Sequence, residues 1–174
     1  MKRVTFVTGP SCSGKTTVNR ALDAQAEGDF YVFDVDDDGT PQAGAVAWLA
    51  WRSEELLLDA SLQCTTDDVP SIITGIVWPH TVIESTAMWV IDPDIEIHFV
   101  MLELSKKELT ARLRERLAHT GRPFTPFVDY NWSLQRRLRT QVEHQRNGHI
   151  LPADKWSPET IVECVKLIAT KDSG

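Results

Sequence analysis

The sequence predicts an α/β fold, a three-layer sandwich with a five-stranded parallel sheet between helices. Two observations carry that prediction. Strand-like apolar runs alternate with helical patterns along the 174 residues, and strands joined through helices pair in parallel. The stretch "VTFVTGPSCSGKTTVNRAL" then places Gly9 to Thr16, G-x-x-x-x-G-K-T, between the first strand-like run and the first helix. That is the strand–loop–helix setting a phosphate-binding loop requires. No repeat, low-complexity tract or linker breaks the pattern, so residues 1–174 read as one domain.

The first strand is expected over 3–8, where Val4, Phe6 and Val7 form a β-branched and aromatic run. The first helix is expected over 15–26, with Val18, Ala21, Leu22 and Ala26 at helical spacing. Between them, Gly9 lets the chain turn out of the strand. Gly14 lets backbone N–H groups approach an anion without an intervening Cβ. Those N–H groups and the helix N-terminus make a nest for phosphate. The candidate nucleotide-binding residues of the loop are Gly9, Ser11, Cys12, Ser13, Gly14, Lys15, Thr16 and Thr17. Lys15 can reach the β- and γ-phosphates, and the Thr16 hydroxyl can ligate Mg²⁺. Cys12 reads as a small filler whose backbone does the binding, with a redox-sensitive thiol as the alternative.

The second strand is expected over 30–33, and "FDVDDDGTP" follows it. Asp34 and Asp36 are two apart and share a direction in extended chain. Parallel sheets form their ligand crevice at the C-terminal strand ends, so both carboxylates belong near the phosphate loop. Carboxylates there can hold hydrated Mg²⁺ or accept a proton from an attacking hydroxyl. Asp37 and Asp38 read as a solvated turn. A helix over 43–63 carries Trp48, Trp51 and Arg52, candidates for an acceptor pocket; the tryptophans serve equally as core. The third strand is expected over 71–77. Its Thr74 stands where many phosphate loops have a Mg²⁺-binding Asp nearby, so that duty passes to Asp34. Gly75 permits close backbone approach, and Trp78-Pro79-His80 reads as a rigid turn at the crevice edge.

The fourth strand is expected over 95–102 and the next helix over 105–118, its buried stripe being Leu109, Leu113 and Leu117. Arg112 and Arg116, four apart, share another face, suited to stacking on a base or gripping phosphate oxygens. Arg114 points away from both. "HTGRPFTP" over 119–126 is rich in turn residues and reads as a loop. A helix over 127–146, a strand over 149–151 and a helix over 158–169 complete the chain. Ser157 as N-cap and Pro158 at the first position open the last helix.

Composition narrows the class. The chain carries a net charge of −7, which argues against a general nucleic-acid binder. Residues 101–150 alone hold 10 Lys and Arg against 5 Asp and Glu, a local clamp for a polyanion such as ATP. No run reaches transmembrane length, and the chain runs straight into a strand without a signal-peptide pattern. Cys12, Cys64 and Cys164 are odd in number and scattered, which suits a reducing, cytoplasmic setting.

In order, "GPSCSGKT", "DVD", "TGIVWP" and "RLRER" before a loop, then a last strand and helix, resemble the nucleoside-monophosphate-kinase and shikimate-kinase group of small P-loop kinases. The resemblance implies a P-loop NTPase fold with a mobile lid over about 117–127, ATP and Mg²⁺ as cofactors, and a small-molecule acceptor. It implies Lys15 and Thr16 at the phosphates and Mg²⁺, and Asp34 with Asp36 as the D-x-D pair of shikimate and gluconate kinases. Arg112 would pack on adenine, Arg116 would grip phosphate, and Arg122 would lie in the lid. The third strand departs from the D-G-x-P-R pattern of adenylate kinases, having Thr74-Gly75 and no arginine after Pro79. The expected activity is transfer of the γ-phosphoryl of ATP to a hydroxyl or phosphate of a nucleoside- or nucleotide-like acceptor. The identity of that acceptor stays open, as does the oligomeric state. A polynucleotide 5′-hydroxyl kinase using Arg136, Arg137 and Arg139, or a nucleotide-dependent regulatory ATPase, are the alternatives.

Overall fold

A computed structural model describes residues 2–36, 45–88, 92–118 and 124–171. The elements, in order, are β1 (Arg3–Thr8), α1 (Lys15–Asp23), β2 (Tyr31–Asp34), α2 (Ala45–Asp67), β3 (Ser71–Thr74) and α3 (Pro79–Met88). After them come β4 (Glu96–Glu103), α4 (Lys106–Leu117), α5 (Phe124–Glu143), β5 (Gly148–Pro152) and α6 (Pro158–Thr170). The five strands form one sheet in the order β2-β3-β1-β4-β5, and every pairing is parallel.

The sheet is apolar on both faces, as a sheet covered on both sides must be. On one face Val7, Ile72, Val100 and Leu102 pack with Val18 and Leu22 of α1, Leu109 and Leu113 of α4, and Ile161, Val162 and Val165 of α6. On the other, Val4, Phe6, Ile73, Phe99 and Met101 pack with Leu49, Leu56, Leu57 and Ala60 of α2 and Leu134, Leu138 and Val142 of α5. Phe6 and Phe99 stack across β1 and β4 with centroids 5.6 Å apart. The central position of β1 fixes the loop after it at the middle of the sheet's C-terminal edge.

Three expectations shift. Trp78-Pro79-His80 is not a free-standing turn: Pro79 opens α3. Proline's fixed φ suits the first helical position, where its missing N–H has no partner to lose. The loop expected over 119–126 gives way at Phe124, where α5 begins, so Pro126 sits in the first turn, which tolerates proline for the same reason. The third strand closes at Thr74 rather than 77. Asp37, Asp38 and Arg122 lie outside the described residues, as do 119–123 of the expected lid. Among the described residues no helix is long and apolar enough to cross a membrane.

Candidate active site

The loop from Gly9 to Gly14 joins β1 to α1. A Cβ on Gly9 would lie 2.6 Å from Ser13 Oγ and 2.8 Å from the Leu102 carbonyl oxygen, so close approach, more than turning, demands glycine there. Gly14 has open space around it but a φ of 102° as the N-cap of α1, a backbone state that favours glycine. Cys12 is also left-handed, at φ 65°. Lys15 folds back over the loop, donating from Nζ to the carbonyls of Gly9 at 3.0 Å and Pro10 at 2.8 Å.

A cleft of about 340 Å³ lies over this loop. Ser11, Cys12, Gly14, Lys15, Thr16 and Thr17, from the loop and the start of α1, form one wall, Arg112 and Arg116 of α4 the other, and Asp36 and Ile76 complete the lining. Burial pulls the Lys15 ammonium down to about 8, against the opposing pull of Asp36 first and Asp34 second. Asp34 ends β2, and its Oδ1 accepts the Asp36 N–H at 3.0 Å, so the two carboxylates form one turn beside the lysine. Arg112 is held by Glu108 (Nε to Oε1, 2.7 Å) and donates from Nη1 to the Cys12 carbonyl at 3.3 Å. Arg116 reaches Cys12 Sγ at 3.8 Å. Arg112 also borders a second, smaller cavity of about 120 Å³, between Ser13 and Thr17 on one side and Ala153, Trp156 and Ile161 on the other.

No family model matches the chain, and no curated protein matches it in sequence. Solved structures do match it in shape. Shikimate kinase from Acinetobacter baumannii, in complex with shikimate, aligns over 100% of this chain and 96% of its own, with a TM-score of 0.63 at 14% identity. A gluconokinase from Sinorhizobium meliloti aligns over 98% and 93%, TM-score 0.57, 19% identity. A sugar kinase from a Janibacter species aligns over 98% and 97%, TM-score 0.60, 19% identity. The fold is that of the small P-loop kinases. At these identities the likeness is one of fold, and the sheet order and the position of the loop are what it covers.

In this P-loop kinase fold the remaining candidates separate. Trp48 and Trp78 are half-buried against the α2–α5 face of the core, whereas Trp51 is 55% exposed. Arg52 pairs with Glu55 one turn along its own helix. Thr74 is buried and holds Asn19 Nδ2 at 3.0 Å. A Cβ on Gly75 would meet Val35 at 2.6 Å. Arg114 lies over the Phe124 ring, 5.2 Å from its centroid. Arg136, Arg137 and Arg139 line a separate cavity of about 590 Å³ on α5, with Arg139 tied to Glu103 at 2.5 Å and Glu143 at 2.9 Å.

Two residues at the site escaped sequence reasoning. Asn131 is fully buried, and its Oδ1 accepts the Ser11 N–H at 2.9 Å; Ser11 thus lines the cleft while its N–H is committed to α5. Trp156 borders the smaller cavity from beyond β5. Neither belongs to a local motif. The available signal for Asn131 was an amide on the apolar face of a helix.

Proposed function

We propose that this protein is an ATP-dependent small-molecule kinase that transfers the γ-phosphoryl of ATP to an acceptor hydroxyl. The observation that carries this is the meeting in one cleft of Lys15, Thr16, Asp36, Arg112 and Arg116. The residues present fit a nucleotide and its metal. A half-buried lysine amine whose pKa is pulled down to about 8 is an amine in want of an anion. A hydroxyl and a carboxylate are oxygen donors of the kind Mg²⁺ takes. When bound, ATP supplies the phosphoryl group and Mg²⁺ neutralises its charge.

The chain's own residues then divide the work. The loop N–H groups and Lys15 would hold the phosphates, and Thr16 with Asp34 would hold the metal. Arg112 covers the base, at the border of the smaller cavity, and Arg116 steadies charge on the transferring group. Asp36 orients the acceptor hydroxyl and takes its proton as the oxygen–phosphorus bond forms and the bond to ADP breaks. The protein works in the cytoplasm in this reading.

A panel of nucleosides, nucleotides, sugars and hydroxy acids, assayed for ATP-dependent phosphorylation, tests the proposal. A phosphorylated acceptor is expected, and its formation should vanish in Lys15→Ala. Formation of ADP and free phosphate with no acceptor modified would favour a regulatory ATPase instead. Arg136 and Arg137, exposed beside the α5 cavity, favour one second reading, a polynucleotide 5′-hydroxyl kinase. Short DNA and RNA with 5′-hydroxyls in the same panel decide it.

A further inference from the structure

We propose that Asn131 and Gln135 form an amide clamp on α5 that positions the two walls of the phosphate cleft relative to each other. The inference rests on the nucleotide-binding reading of that cleft and names residues it does not use. Asn131 is 0% and Gln135 2% exposed, and they are the buried carboxamides among the described residues. They stand four apart, so they share one face of the helix, in a stripe otherwise built from Val128, Leu134, Leu138 and Val142.

Each amide grips the backbone where a strand runs out into one wall. Asn131 Oδ1 accepts the Ser11 N–H at 2.9 Å, and its Nδ2 donates to the Phe127 carbonyl at 2.9 Å, one turn back on α5. Turning the amide over would set an NH₂ against the Ser11 N–H, so the partners dictate its orientation. Gln135 pairs with both backbone groups of Leu104: Nε2 donates to the carbonyl at 2.7 Å, and Oε1 accepts the N–H at 3.0 Å. Leu104 is followed by Ser105, the N-cap of α4, and α4 carries Arg112 and Arg116. One wall is the loop after β1 and the other hangs from the end of β4. A single helix face holds both.

Chemistry explains why amides stand there. An apolar side chain would fill the same volume but leave the Ser11 N–H and both Leu104 groups buried and unpaired, which is costly. An amide satisfies them and is directional, so it fixes position as well as filling space. The anchor also decides which loop N–H groups serve an anion, because it turns the Ser11 N–H onto α5. A catalytic site needs its parts held to a fraction of an ångström, and these three bonds to Ser11 and Leu104 supply the register between Lys15 on one wall and Arg116 on the other.

Asn131→Leu and Gln135→Met keep volume and remove the bonds. The test measures Mg²⁺-ATP and inorganic tripolyphosphate binding by calorimetry, with thermal midpoints of free and loaded protein, for wild type, both variants and Lys15→Ala. The clamp predicts at least a tenfold weaker ATP dissociation constant in each variant, and a nucleotide-induced midpoint rise cut by half or more. A merely structural role would lower free and loaded midpoints together and leave the dissociation constant at the wild-type value. That result, in variants that retain their circular dichroism, overturns the clamp. Should Asn131→Leu fail to fold, Gln135→Met alone decides between clamp and structural role by the same measurements, because it leaves the loop's own bond in place. Wild type that binds neither ligand overturns the nucleotide reading and the clamp with it; wild type that binds while both variants match it overturns the clamp alone.

Discussion

Asp36 is the carboxylate that weighs most on the Lys15 ammonium, ahead of Asp34, and Asp36 and Lys15 line the same cleft. In the proposed reaction the cation meets the transferred phosphate and the carboxylate meets the acceptor hydroxyl. The cation is held in reserve on the Gly9 and Pro10 carbonyls.

That arrangement sets the behaviour of Lys15→Ala. Removing a charge-assisted contact to phosphate costs about 2 kcal/mol, or roughly thirtyfold in ATP affinity. Turnover should be abolished. The fold should survive, since Lys15 contributes a loop contact rather than core. Normal turnover in the purified variant would contradict its role.

The same lysine makes anion binding depend on pH. With its pKa near 8 in the free protein, Lys15 is protonated below that value and loses its proton above it. A bound anion favours the protonated form, so tripolyphosphate affinity, measured without metal, should fall by up to about tenfold per pH unit above 8. Protein stability runs the other way. A half-buried ammonium with a depressed pKa burdens the folded state below pH 8 and is relieved as pH rises toward the ordinary lysine value. Flat affinity from pH 7 to 9.5 would show that Lys15 does not meet the anion.

Arg116 and Arg112 should differ. Arg116→Ala is expected to lower turnover by on the order of a hundredfold or more, with a small change in ground-state ATP affinity. Arg112→Ala, at the border of the smaller cavity, should raise the Michaelis constant for ATP. Equal and trivial effects from both would make them surface arginines.

Away from the cleft, His98 and His149 stack with centroids 5.7 Å apart. Burial, and then the nearby Arg3, hold both below the ordinary imidazole range, while Glu96 pulls His98 the other way. A lowered histidine pKa means that the unfolded chain binds more protons. Stability is therefore full above about pH 6.5 and falls as pH drops below it. His98→Gln should flatten that acid limb in urea titrations at pH 7.5 and 5.5. An equal loss in wild type and variant would assign the acid sensitivity elsewhere.

Much of this was legible in the chain because the signals were local. Five apolar runs and the glycine-lysine loop lie in short windows, and Asp34 directly follows the second of those runs; the extended-chain step from Asp34 to Asp36 gives way to a turn at 35–36, and of the two Asp36 lines the cleft. What escaped was non-local or masked by a rule of thumb. Pro79 and Pro126 read as breakers, although both sit in first turns where their missing N–H has no partner to lose. Asn131 and Gln135 count as polar in any hydrophobic pattern, yet they are buried because their partners, Ser11 and Leu104, arrive from far along the chain. Trp156 meets the loop only once β5 is paired beside β4.

In the proposed reaction the two aspartates have distinct roles and should fail differently. Asp34→Asn is expected to raise the Mg²⁺ requirement, with partial rescue by excess metal. Asp36→Asn should lose turnover with no such rescue. Identical metal titrations for the two variants would erase the distinction.

The most direct measurement pairs product stoichiometry with ATP binding in wild type and Asp36→Asn. Once an acceptor is in hand, wild type should form ADP and phosphorylated acceptor one for one, with little ADP when the acceptor is omitted. Asp36→Asn should bind Mg²⁺-ATP as tightly as wild type and form neither product. Wild type that releases ADP and free phosphate at the same rate without acceptor, or an Asp36→Asn variant that turns over normally, would contradict the account.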